Sequence, residues 1–166
     1  MGTPAHTHRS TSRDATTQLV VFTLHGLRYA LRLAAVERIV RAVEITPLPK
    51  APEIVLGVIN VRGEIIPVVN VRRRFRLPER ELDLTDQLMI ARTAKRKVAL
   101  VVDAVTELIH CAEGQISEAE TVLPSIEHVE GVARMRDGLI FVHDLDSFLS
   151  LEEEQILEET IAGTEH

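Results

Sequence analysis

One cysteine, Cys111, and no tryptophan set the first limits on this chain. A single thiol can close no intramolecular disulfide and build no thiolate metal cage, so the expected compartment is reducing and cytoplasmic. Aromatic residues make up only 3% of the chain although 45% of it is hydrophobic. The core must therefore be built from Val, Ile and Leu, which suit pleated, half-buried surfaces, and a β-rich fold follows. No apolar run is long enough to span a bilayer, and residues 1–17, rich in Thr, Ser and His, contain nothing like a signal peptide. Direct membrane insertion is not expected. Basic residues are outnumbered, 19 Lys and Arg against 25 Asp and Glu, giving a formal net charge of −6. That balance argues against a nucleic-acid partner, since neutralising phosphates needs a basic surface; only a local patch at Arg72, Arg73, Arg74 and Arg76 stands out.

A length of 166 residues fits one domain, or two small subdomains sharing a core. Residues 1–17 show no periodicity and read as a disordered arm. Two strand-like runs, Leu19 to His25 and Arg28 to Leu33, surround His25-Gly26-Leu27 as a hairpin. A helical turn over Ala34 to Arg38, a strand from Ile39 to Ile45, and an extended loop imposed by Pro47, Pro49 and Pro52 come next. Strands at Val58 to Val61 and Glu64 to Val71 precede a short helix and linker between Arg72 and Asp86. Strands then resume at Gln87 to Thr93, Lys97 to Asp103 and Val105 to Cys111. A closing hairpin turns at Asp137-Gly138, a dipeptide that tolerates positive φ. The strands form two clusters, which suggests two small barrels packed together, and the Glu-rich end suits amphipathic helix. The expected divisions are an arm at 1–17, a domain at 18–150 with subdomains near 18–80 and 86–145, and an acidic helical tail at 151–166.

The most informative stretch is Gly57 to Phe75, two β-branched strands meeting at an Asn-x-Arg-Gly turn and running into a basic helix start. An Arg presented by two stiff strands is a recognition device rather than a catalytic one. This stretch resembles the central signature of the CheW family of chemotaxis adaptors. Further pieces similar to that family follow in order: Leu19 to Leu24 with Tyr29, the proline loop Ile45 to Pro49 with Ala51-Pro52, Val98 to Leu108, and Gly131-Val132 with Leu139 to Leu145. The resemblance spans about residues 18–154.

The resemblance implies an all-β fold of two five-stranded barrels around a shared core, with short helices and a C-terminal helix, and with no catalytic activity; no metal or cofactor is expected. It implies an adaptor that joins the regulatory domain of a CheA-type histidine kinase to the cytoplasmic tip of a methyl-accepting chemoreceptor, recruited to membrane-bound receptor arrays. Carried over by position, Arg62 falls on the family's receptor-contacting arginine, and Val36, Val105 and Leu108 fall on groove positions facing the receptor helix. A groove with one anchoring Arg is independently a sound way to hold an amphipathic helix. Three departures stand out: Arg38 occupies a usually acidic receptor-facing position, Ala99 and Ala104 occupy glycine positions, and Gln115 to Val122 departs from the usual pattern. They leave open an alternative, a scaffold in a related pathway that binds the kinase with lost or altered receptor coupling.

No competing chemistry is supported. His25, His110, His128 and His143 have no i, i+4 ligand spacing, and Asp103 beside Glu107 has no nucleophile or base companion, so a solvated strand-end charge is expected there.

Overall fold

A computed structural model describes residues 16–41, 43–118 and 128–164. The expected disorder of 1–15 lies outside that range; residues 16 and 17, placed in the same arm by sequence, already belong to a strand. The described residues form eleven strands: β1 (Thr16–Leu24), β2 (Leu27–Arg32), β3 (Val36–Arg41), β4 (Val55–Val61), β5 (Glu64–Val69), β6 (Gln87–Arg92), β7 (Lys97–Val102), β8 (Ala104–Ala112), β9 (Ile116–Glu118), β10 (Val129–Met135) and β11 (Gly138–His143). Helix α1 (Val71–Arg74), helix α2 (Leu151–Thr164) and three 3-10 turns are the other regular elements among the described residues.

The strands form two sheets. One has six strands in the order β8-β1-β2-β11-β10-β9, the other five in the order β3-β6-β7-β5-β4. Both follow one plan, antiparallel neighbours joined by a single parallel contact, β2 with β11 in the first and β5 with β7 in the second. The sheets do not divide the chain near residues 80–86, as the pattern of the sequence suggests. Strands β1 and β2 pair with elements from 104 onward, and the whole five-stranded sheet is inserted between them. The reason is pairing: β1 finds its second neighbour in β8, from Thr16 opposite Ala112 to Thr23 opposite Ala104.

Alternation explains why so many strands read as unbroken apolar runs. In β1, Leu19 and Val21 point into the interior of the six-stranded sheet, whereas Val20, Phe22 and Leu24 join a core common to both sheets. In β6, Leu88 and Ile90 fill the five-stranded sheet while Met89 and Ala91 face the common core. Each fully buried side chain of this kind contributes about 1.5–3 kcal/mol. The common core also gathers the scarce aromatics. Phe22, Tyr29, Phe75, Phe141 and Phe148, every Phe and Tyr in the chain, make a connected set of ring contacts around His143.

Turn chemistry fixes the hairpins. His25-Gly26 and Arg62-Gly63 are two-residue turns with positive φ at both positions, the twist that suits antiparallel strands. The last hairpin turns at Arg136-Asp137, one residue earlier than expected, because Gly138 already pairs with Met135. Gly57 is required for a different reason: a Cβ there would collide with the Thr46 carbonyl, which bonds to the next residue, Val58. The acidic C-terminal segment is docked rather than fully solvated. Leu157 of α2 is completely buried in the common core, and Glu154 and Glu153 pair with Arg96 and Arg74 at 2.8 and 2.6 Å.

Candidate functional site

Strands β3 and β8 are the end strands of their sheets, and both turn apolar side chains toward the common core. Val36 lies opposite Ala91 and Ile39 opposite Met89; Val105 lies opposite Phe22 and Leu108 opposite Val20. All four of those partners are buried in the common core. Val36 and Val105 pack half-buried against it, while Ile39 is 40% and Leu108 50% exposed. The two edges are tied together at both ends. Gln87, opposite Arg41 of β3, accepts the Val105 backbone N–H at 2.6 Å, and the 3-10 turn Leu33–Ala35 that leads into β3 packs on β1 beside β8. The result is an apolar seam with open edges, the geometry that receives the apolar face of a helix. Ile39 is absent from the sequence-derived set; it shares strand parity with Glu37 and Arg41, and only the bulge between Val36 and Arg38 brings it onto the face of Val36.

Arg38 is not part of that seam. A bulge between Val36 and Arg38 shifts the register so that Arg38 lies opposite Ile90, which belongs to the interior of the five-stranded sheet. Without the bulge Val36 and Arg38 would share a face. Arg38 instead lines a depression of about 250 Å³ with Arg62, Glu37, Glu64, Ile66 and Lys97. Arg62 is exposed on its two-residue turn, where the Gly63 N–H donates to Asn60 Oδ1 at 2.8 Å and fixes the backbone. Lys97 Nζ holds Glu64 at 2.9 Å and Glu37 at 3.1 Å, and its hydrogen bonds to those two carboxylates raise its pKa. Among the described residues Arg38 and Arg62 have no ion-pair or hydrogen-bond partner. The five sequence-derived residues thus fall into two parts, Val36, Val105 and Leu108 along the seam, and Arg38 with Arg62 at the neighbouring depression.

Other expectations resolve differently. The basic run is not a free patch, because Arg72 pairs with Asp103, Arg73 with Glu53 and Arg74 with Glu153. Asp103 is no solvated strand end; it also accepts from Arg80 and from the His25 backbone N–H. Cys111 is buried, and burial pushes its thiol pKa up. Among the described residues no group of three or more His, Cys, Asp or Glu is placed to hold a metal ion, and no helix is long and apolar enough to cross a membrane.

Two interlocked sheets, an apolar seam at their shared edge and exposed unpaired arginines beside it define a domain built for protein recognition. The chain belongs to the CheW family: the model of the CheW-like domain matches residues 18–153. It is 30% identical to a chemotaxis protein CheW of Treponema pallidum over 150 residues, which cover 87% of this chain and 88% of that protein. The corresponding protein of Rhizobium meliloti is 29% identical, with 83% and 90% covered. The crystal structure of the scaffolding protein TtCheW from Thermoanaerobacter tengcongensis superposes with a TM-score of 0.74 at 33% identity, covering 82% of this chain and 90% of that one. Protein FrzA of Myxococcus xanthus is 30% identical over 87 residues, 52% of this chain.

Proposed function

We propose that this protein is a non-catalytic adaptor of chemotaxis signalling that couples a CheA-type histidine kinase to the cytoplasmic tip of a chemoreceptor, acting in the cytoplasm at membrane-bound receptor arrays. The observation that carries this reading is the seam of Val36, Ile39, Val105 and Leu108, open along β3 and β8, with Arg62 on a backbone-fixed turn in the depression that Glu37 and Arg38 of β3 also line. A receptor helix laid in the seam would bury Ile39 and Leu108. Arg62 would supply a charge-assisted anchor worth about 1.5–3 kcal/mol. Arg38 adds selectivity, because a reversed charge beside a contact favours acidic or neutral partners and penalises basic ones.

The test is binding of the full chain to a soluble receptor hairpin and, separately, to the kinase regulatory domain. Leu108→Asp and Arg62→Ala should each weaken receptor binding about tenfold or more while leaving the melting temperature nearly unchanged. Arg38→Glu should weaken binding to the native receptor and strengthen it to one whose facing residue is basic. Unchanged receptor affinity in both Leu108→Asp and Arg62→Ala would refute the assignment.

A further inference from the structure

Arg62 does not stand alone. Arg92, at the end of β6, lines a second depression of about 580 Å³ together with Arg62, Arg96, Lys97 and Glu64, and this hollow adjoins the one that holds Arg38. Arg92 is exposed and, like Arg62 and Arg38, has no ion-pair or hydrogen-bond partner among the described residues. The one acid in the larger hollow, Glu64, is already engaged by Lys97 at 2.9 Å. In a chain of net charge −6, two guanidinium groups are therefore left uncompensated in one hollow, with a third beside it.

Arg62 sits on an ordered turn and Arg92 at the strand end that leads into one. The β6–β7 turn that follows Arg92 is tied by Thr93, whose hydroxyl accepts the Lys95 and Arg96 N–H groups at 3.1 and 3.0 Å and whose own N–H reaches the Arg96 carbonyl at 2.8 Å. Guanidinium groups presented on rigid backbone are suited to carboxylates, which they can grip in a planar fork. The hollow is not a bare anion cup. Ile65, Pro67 and Ile161 give it apolar surface, and its size suits a stretch of side chains rather than one small ion. The same β6–β7 turn already seats an acidic helix of this chain, since Arg96 grips Glu154 of α2 at 2.8 Å.

We infer that Arg92 and Arg62 form a two-arginine clamp for an acidic face of the receptor helix, so that the receptor is read by carboxylates at this hollow as well as by apolar contact along the seam. This inference rests on the proposed receptor-binding role. Arg92 is then a specificity determinant, and receptors without acidic residues at the facing positions bind weakly.

The test measures binding of the full chain to a soluble receptor hairpin at low and high sodium chloride, comparing wild type with Arg92→Ala, Arg92→Glu, Arg62→Ala and Leu108→Asp. Melting curves of each variant confirm folding. Arg92→Ala should weaken binding about three- to tenfold and Arg92→Glu further, with a shallower salt dependence in both. Kinase-domain binding should stay unchanged. If Arg92→Glu binds as wild type while Arg62→Ala and Leu108→Asp lose affinity, the clamp is refuted and the receptor-binding role stands. If all four bind as wild type, the receptor-binding role itself falls. Competition by millimolar inorganic phosphate at constant ionic strength would show a general oxyanion site and overturn the assignment to a carboxylate-bearing helix.

Discussion

Replacing Asp103 by Ala should cost far more than a surface carboxylate usually does. Asp103 sits between β7 and β8 and accepts Arg72 Nη2 on both oxygens at 2.8 and 2.9 Å, Arg80 Nη2 at 2.8 Å, and the His25 backbone N–H at 2.9 Å. It thereby joins the turn of the first hairpin, helix α1 and the segment leading to β6. Arg80 also grips the nearly fully buried Asp86 through two hydrogen bonds, so the hub reaches into the interior. Burial by itself would raise the Asp103 pKa, but the hydrogen bonds from Arg72 and His25 and the charges of Arg72 and Arg80 outweigh it and hold the carboxyl below its ordinary value. Hydrogen bonds to a charged group are worth about 1.5–3 kcal/mol, while the more exposed Arg80 contact is discounted for solvent screening. Arg72, only 13% exposed, would keep the Pro78 carbonyl at 2.8 Å but lose its counter-charge. The sum is about 2–4 kcal/mol, or a fall in melting temperature of about 5–15 °C at this chain length. Thermal melts of Asp103→Ala, Arg72→Ala and the double variant measure it, and the cycle should show a coupling of about 1–3 kcal/mol. Because the folded pKa is depressed, this stability is present above the ordinary carboxylate range and is lost as pH falls through the folded value, so the two proteins should converge in acid. A melting point within about 1 °C of wild type, or additivity in the cycle, would refute the reasoning.

His143 is 3% exposed, its two ring nitrogens have no hydrogen-bond partner among the described residues, and burial followed by the nearby His128 charge lowers its pKa well below 6.5. The folded state keeps it neutral while the unfolded chain takes up a proton below 6.5, so stability should fall on acidification by up to about 1.4 kcal/mol per pH unit. His143→Phe should flatten that slope between pH 7 and 5, and an unaltered slope in denaturant titrations would contradict it. The interleaved sheets predict a single calorimetric transition and no stable fragment from residues 1–86, since β1 and β2 would be without β8 and β11, and β3 to β5 without β6 and β7. Two separated transitions, or a folded soluble fragment, would show that the common core does not couple the sheets.

Most strands could be read from the chain because hairpin chemistry is local. His25-Gly26 and Arg62-Gly63 announce their turns, and only the Asp137-Gly138 turn is misplaced, by one residue. The assignment of strands to sheets could not be read, since the parallel pairings of β2 with β11 and β5 with β7 join residues far apart and leave no local mark. The same holds for the site. The exposed turn of Arg62 follows from its neighbours in sequence. The position of Arg38 depends on a bulge against β6, and the apparent basic patch at Arg72 to Arg74 disappears because its three partners come from distant segments. Arg92 carries no signal at all until the sheet brings the end of β6 and the Arg62 turn to one hollow.

The insertion of one sheet inside the other also orders events at the ribosome. Strands β1 and β2, with apolar residues on both faces, emerge before the five-stranded sheet, and their outer neighbours β8 and β11 come only after all of it. At about 5–20 residues per second, the interval from Arg32 to Ala112 is roughly 4–16 s. Hairpin closure takes microseconds, so the β3–β7 region has time to assemble before the first hairpin meets its partners. The inner sheet is thus finished early, while the β1–β2 hairpin stays open to wrong pairings until β8 and β11 have been made.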